Sequence, residues 1–429
     1  MKHIFVVGLD DVHLAQLRTL PEAHEYALHP LLTYQEIKQQ DQFPVERLLD
    51  EGVRMLRAFG PGVDAVVGYW DFPVSTVLPI LRQALGLPGP TLEAVLACEH
   101  KYWSRRLQAE VAAAHVPPFC AVDPFADEPL RQISIDFPFW LKPVKSVLSH
   151  LGFRIDGEAD FRAAIERIRA GIGRYADPFD LILAQARLPP AIALVDGRHC
   201  IAEGIISTVR QVTQEGYVYG GVVHVYGTID SQRCGPKCSS FSRYQYPSVL
   251  PPPVLERMSA ITARIMRHIG YDMAPFNIEY FWDDASDSIY LLEINPRISK
   301  SHAPLFQMVD GCYHHQVMID LGLGRAPRFT AGGGDCAIAA RFMVRELGDA
   351  VVARAPTPAE IAAAEAAVPH CRVFVSVREG QRLSELRDQD SYTYEVAVIY
   401  VGGDSEAEIE DRFDACLTRL PLRFERCAA

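Results

Sequence analysis

The sequence predicts a multidomain chain of mixed α/β and α+β architecture, and three observations lead there. Short apolar strands alternate with helical lengths over residues 1–90, a β-hairpin carrying two carboxylates stands at residues 276–297, and strands and helices alternate again after Gly332-Gly333-Gly334. Composition is that of an ordinary globular protein, with 49% hydrophobic and 22% charged residues in 429. The 42 basic against 54 acidic residues, a net charge of −12, argue against nucleic acid as a partner, since its phosphates select basic surfaces. A small anion in a locally basic site stays compatible. No apolar run is long enough to span a bilayer, and the opening M-K-H-I-F-V-V-G is too short for a signal sequence, so a cytoplasmic location with no membrane partner is expected. Of the ten cysteines only Cys234 and Cys238 are closely spaced, and they lack the second pair of a zinc site, so free thiols are expected.

In the hairpin, the apolar runs Asn277 to Trp282 and Ser288 to Ile294 flank D-D-A-S-D, whose Asp and Ser residues favour a turn. Side chains alternate along a strand, so Glu293 and Asn295 share a face, and antiparallel pairing brings Glu279 opposite or diagonal to them. Two unpaired carboxylates brought together would repel and lose hydration. A hard, oxygen-liganded Mg²⁺ carrying phosphates is the natural ion between them, with Glu279, Glu293 and Asn295 as its ligands. Arg297 then offers a fixed cation suited to a bidentate phosphate or carboxylate contact.

Glu279, followed by Glu293-Ile294-Asn295-Pro296-Arg297 closing the second strand, resembles the metal-binding hairpin of the ATP-grasp superfamily, most of whose members are ATP-dependent carboxylate-amine ligases. The resemblance implies an ATP-grasp fold with a Rossmann-like pre-ATP-grasp domain at 1–90, a small lobe with its lead-in helix at 91–205, a large lobe with the hairpin at 206–330, and a small C-terminal α+β subdomain at 331–429. It implies ATP and Mg²⁺ as cofactors, one or two ions with Mn²⁺ as the substitute, small-molecule acid (or enol) and amine or amino-acid substrates, and a homodimer.

Taken in order, the elements begin with a strand at His3 to Val7 and a helix from Val12 to Leu20. The lone Gly8 at their junction lacks the glycine spacing of a dinucleotide site. A strand at Ala27 to Leu32, a helix at Val45 to Phe59, a strand at Asp64 to Gly68 and a helix at Pro73 to Leu85 complete a small parallel sheet. After Leu87-Pro-Gly-Pro90 one helix is expected from Thr91 to Ala114, carrying a basic cluster of Lys101, Arg105 and Arg106. The strand ending in Lys142 places an ammonium at a sheet edge, where it needs an anionic partner. By the resemblance, Lys101 and Lys142 reach the nucleotide phosphates. The next loop departs from the family by having one late glycine, so Lys145, Ser146, Ser149 and His150 are read as side-chain donors replacing a backbone cradle. A helix follows at Asp160 to Ala170, then strands at Leu181 to Gln185, Ala191 to Val195 and Ile201 to Val209, with Gln185 at the place where relatives contact adenine and ribose.

A strand region at Gly216 to Val225 precedes an irregular stretch to Val249. Pro251-Pro-Pro253 then opens a helix to Ile269, whose apolar stripe Val254, Met258, Ile261, Ile265 and Ile269 is read as core and which Gly270 stops. Beyond Arg297, Lys300 and His302 lie beside the metal site as candidates for holding an acceptor or transferring a proton. One helix from Leu305 to Leu321 would carry His314 and His315, read as packing or surface residues. The closing unit takes strands at Cys336 to Val344, Arg372 to Val377 and Thr393 to Val401, and helices at Pro358 to Ala367 and Ser405 to Leu420. The function expected is an ADP-forming ligase that phosphorylates a carboxylate and couples the acyl phosphate to an amine. The alternatives are a ligase activating an enol oxygen, as in mycosporine-type biosynthesis, a bicarbonate-activating carboxylase, and a non-catalytic ATP-binding regulator.

Overall fold

The strand Lys2–Val7 is apolar on both faces because it lies in the middle of a three-stranded parallel sheet, between Tyr26–Leu31 and Ala65–Val67. The helices Val45–Ala58 and Val74–Leu85 close the core of this unit. The computed structural model describes residues 1–38, 43–147, 150–206, 210–235, 240–386, 389 and 393–426; Ser149, Cys238 and the end of the strand expected up to Val209 lie outside them. A second, four-stranded antiparallel sheet is built from Phe119–Val122, Cys200–Gly204, Phe139–Pro143 and Phe153–Ile155, in that order, with Glu158–Gly171 packed on it.

The third sheet has eight antiparallel strands. From one edge they run Ser288–Asn295, Ala274–Asp283, Arg210–Tyr219, Val222–Cys234, Ser240–Tyr246, Ile338–Leu347, Thr393–Gly403 and Cys371–Val375. The last three come from the closing stretch of the chain, so its strands continue the sheet that carries the hairpin. Pro252–Ile269 packs on this sheet through Val254, Met258, Ile261 and Ile265 and ends at Gly270 in the left-handed conformation. Ala350–Arg354 and Arg423–Arg426 form a separate pair. Across the molecule, Arg325 ties Glu22 (2.5 Å) and Tyr26 (2.7 Å) of the first unit to Asp320 (2.6 Å). No helix among the described residues is long and apolar enough to cross a membrane.

Five local expectations are corrected. Leu181 to Gln185 is not a strand but the end of the helix Gly173–Leu183, whose buried Tyr175, Ala176, Phe179, Ile182 and Leu183 keep a helical spacing that the apolar L-I-L-A run conceals. Ala191 to Val195 is a turn closed by Ile192 and Ala193 N–H bonds to Pro189 O. The stretch read as irregular beyond Val225 is two strands, and Gly220 and Gly221, both at positive φ, make the hairpin turn before them. The helix expected over 91–114 is two, Leu92–Glu99 and Lys101–Ala112, broken at His100. The helix expected over 305–321 is also two, Ala303–Asp310 and His315–Gly322, because Gly311 adopts a left-handed conformation, with φ of 77°.

Candidate active site

In the hairpin Glu279 stands directly opposite Glu293, and Asn277 opposite Asn295. The register slips by one residue just beyond Glu279, where Leu292 bulges out of the ladder. Arg105 caps the exposed carbonyls there, donating from Nη1 to Leu291 O and from Nη2 to Leu292 O, both at 2.8 Å. This buried guanidinium also bonds Glu203 (2.6 Å) and Gln108 (2.6 Å), so Arg105 is structural and not part of an exposed basic face. The bulge aims Glu293 across at Glu279. Burial, then the charge of Glu293, pushes the Glu279 carboxyl up to about 7; Arg233, Arg297 and a 2.8 Å hydrogen bond from Gln211 Nε2 oppose the rise without cancelling it. A carboxylate so perturbed marks a site short of positive charge.

Three lysines face the second carboxylate. Lys101 Nζ is 3.2 Å from Glu293 Oε1 and donates to Ser146 O at 3.1 Å. Burial would raise the Glu293 carboxyl, yet Lys101, Lys142 and Lys145 together hold it below its ordinary range. The other two lysines have carboxylate partners of their own: Lys142 pairs with Glu203 at 2.6 Å, and Lys145 with Glu99, while stacking 5.4 Å from the centroid of Phe72. Lys101 owes its place to His100, which leaves the helical conformation, caps Lys101–Ala112 by accepting from Trp103 N–H at 3.2 Å, and donates from Nε2 to Val195 O at 2.7 Å. Burial pushes this imidazole down to about 4, so it is neutral.

On the far side, Arg297 is held by Asp71 through Nε (2.6 Å) and Nη2 (2.6 Å). Asn277 Nδ2 bonds the Arg297 carbonyl, and Asn295 Nδ2 donates to Asn277 Oδ1, each at 3.0 Å, which leaves the Asn295 carbonyl oxygen as its remaining ligating atom. Lys300 Nζ lies 4.4 Å from the centroid of Trp70. His302 is buried, bonds Glu215 Oε1 at 2.8 Å through Nδ1, and is pushed by burial down to about 3. His314 is buried 3.9 Å from the same carboxylate and bonds Ser299 O at 3.1 Å, and His315 is buried as well, so both are interior residues.

Lys101, Lys142, Lys145, Glu279, Glu293, Asn295 and Arg297 thus belong to one cluster, with the backbone carbonyl of Ser146 among them. Gln185 does not join them: it is exposed beyond its helix and bonds Leu181 O at 3.5 Å. Sequence reasoning missed Glu215, Glu203, Glu99, Asp71 and Arg233. The period-two row Gln211, Thr213, Glu215 was the available signal for the first, since a strand that aligns them beside Glu279 and Asn277 buries a carboxylate beneath the hairpin. Among the described residues no three His, Cys, Asp or Glu side chains are placed to hold a metal. The donor set is two carboxylates and an amide oxygen, which suits a hard divalent cation that completes its shell with phosphate oxygens.

Residues 247–327, the stretch holding the hairpin, match the family described as carbamoyl-phosphate synthase L chain, ATP binding domain. The whole chain superimposes on L-amino acid ligase from Bacillus licheniformis with a TM-score of 0.71 and 16% identity, covering 99% of each chain. This is the ATP-grasp fold. Further ATP-grasp structures superimpose as well: biotin carboxylase from Campylobacter jejuni (TM-score 0.64, 13% identity, 99% of this chain and 92% of that one) and N5-carboxyaminoimidazole ribonucleotide synthetase from Thermus thermophilus (0.62, 16%, 98% and 92%). No curated protein matches the sequence.

Proposed function

We propose that this ATP-grasp protein is an ATP-dependent, ADP-forming ligase that phosphorylates a carboxylate and joins the acyl phosphate to an amine or amino acid. The observation that carries the reading is the opposed Glu279 and Glu293 pair with Lys101, Lys142 and Arg297 around it. A carboxylate resists amines because oxide is a poor leaving group. One of its oxygens therefore first bonds to the γ-phosphorus of ATP as the bond to ADP breaks; the amine nitrogen then bonds to the acyl carbon, and phosphate leaves.

Each residue has a task in that sequence. Lys101 and Lys142 exchange Glu293 and Glu203 for nucleotide phosphates, and Lys145 adds a third ammonium. Arg297, fixed by Asp71, neutralises the transferred phosphoryl group or the acyl oxygen. Glu279, Glu293 and Asn295 would hold Mg²⁺, which when bound supplies charge neutralisation at the phosphates. His302, held on Glu215, is a positioning residue for the segment between Arg297 and Lys300. The likeness to biotin carboxylase supports a second reading, activation of bicarbonate.

One experiment separates them: ADP release from Mg-ATP, with L-amino acids given singly and in pairs, bicarbonate, and a cyclic enol. Release that needs two organic partners supports the ligase. Release with bicarbonate alone moves the assignment to a carboxylase, release with the enol and an amino acid moves it to an enol-activating ligase, and binding without release would leave a regulator.

A further inference from the structure

The turn after the opening strand holds an oriented imidazole to which the scheme above gives no task. Asp10 caps the helix Asp11–Leu17 by accepting from His13 N–H at 2.9 Å, and its two carboxylate oxygens also lie 2.8 and 2.7 Å from His13 Nδ1. An ionised carboxylate there requires the proton on Nδ1, which leaves Nε2 with its lone pair. Nε2 makes no hydrogen bond among the described residues.

A chain of contacts ties this imidazole to the proposed reaction centre. It stacks on Tyr69 at 4.1 Å and meets the edge of Trp70 at 5.8 Å; Lys300 lies on Trp70, and Asp71, the next residue, is the anchor of Arg297. Three consecutive residues therefore link His13 to the arginine assigned to the acyl phosphate. On its other side His315 lies 5.7 Å away, buried, and neither ring nitrogen has a partner among the described residues. The corner thus holds more hydrogen-bonding capacity than the protein itself uses, which points to a polar ligand.

The groups facing His13 are Asp10, Tyr69, His315 and the Lys300 ammonium. Burial, aided by Lys300, outweighs Asp10 and keeps His13 below the ordinary imidazole range, and burial keeps His315 neutral too. His302, the expected proton carrier, is closed off on Glu215.

We propose that His13 is the base for the amine substrate, an inference that rests on the ligase reading. Nε2 takes a proton from the incoming ammonium. The freed nitrogen bonds to the acyl carbon, the carbon-oxygen bond to phosphate breaks, and phosphate leaves with the electron pair and takes up the second proton that the nitrogen sheds on becoming an amide. The first proton stays on His13 as an imidazolium paired with Asp10.

The test compares glycine with hydroxylamine as the nucleophile, using the pooled L-amino acids as acids and Mg-ATP. Hydroxylamine is a free base at neutral pH and needs no proton acceptor. In His13→Asn the ratio of amide to hydroxamate should fall about 10²- to 10⁴-fold at pH 7 and recover as pH rises and glycine deprotonates unaided. Asp10→Asn, which keeps the shape but loses the charge that fixes the tautomer, should lower the same ratio and decides the matter if His13→Asn does not fold. An unchanged ratio, or equal loss of both products, overturns the proposal. If the wild-type protein makes no hydroxamate with any acid, the ligase reading itself falls.

Discussion

At the level of single residues, Glu279 of the hairpin and Glu203 of the four-stranded sheet have opposite relations to stability. Glu279 is raised to about 7 from an ordinary 4.5, so the native state holds a proton that the unfolded chain has lost, and stability declines as pH rises through that window. Glu279→Gln should therefore unfold at higher denaturant than wild type at pH 8, by on the order of 2 kcal/mol, while losing ADP release; a variant that is active, or less stable, would refute the assignment. Glu293→Ala should abolish turnover with the far-UV spectrum kept, because a proposed metal ligand and not a core side chain is removed. Glu203 is the reverse case. Burial opposes its charge, but Arg105 and Lys142 bring it down to about 2, so its contribution is complete above the ordinary carboxylate range and is lost as pH falls toward 2. Glu203→Gln should cost about 3 kcal/mol at pH 7 in urea unfolding, since the buried Arg105 and the half-buried Lys142 lose their shared anion, and should show less acid sensitivity below pH 4.5. The hairpin glutamates and Arg297 were legible because they interrupt apolar strands at fixed spacing. Their partners Asp71, Glu99 and Glu203 were not, because nothing local in the sequence says which distant cation a carboxylate meets.

At the level of elements, the Leu292 bulge and the His100 break do the positioning. Arg105→Met should free the Leu291 and Leu292 carbonyls and let the strand straighten, so weakened Mg-ATP binding by calorimetry is expected along with the stability loss. His100→Ala removes a cap and a buried hydrogen bond, worth about 1 to 2 kcal/mol, and displaces Lys101; KM for ATP should rise more than kcat falls. Neither device was visible beforehand. A bulge is a property of two paired strands, and C-E-H-K-Y-W has good helical composition on both sides of the histidine. Likewise the apolar run at Leu181 resembled a strand because its helical period shows only when Tyr175 and Phe179 are counted with it. The strand Val222–Cys234 escaped notice for the opposite reason: much of it is only partly buried, so polar residues break up its apolar alternation.

At the level of the molecule, the parallel unit of residues 1–90 was readable from its alternation, whereas the continuation of the large sheet by Ile338–Leu347, Thr393–Gly403 and Cys371–Val375 depends on pairings between segments far apart in sequence. That unit reaches the reaction centre through Asp71 on Arg297. Mg-ATP near 100 times its Kd should raise global stability by about 2.7 kcal/mol, read as a higher melting temperature, and Lys142→Met should abolish that gain. The ion pair between Lys101 and Glu293 has a consequence for selectivity. Lys101 rests on Glu293, with Lys142 and Lys145 adding their charge, so in the proposed scheme a nucleotide arriving alone would draw its nearest cation from that carboxylate, and a metal arriving alone would displace the lysine. In the proposed scheme the two arriving together leave neither charge unanswered, so the site would favour the metal-nucleotide pair over either visitor by itself.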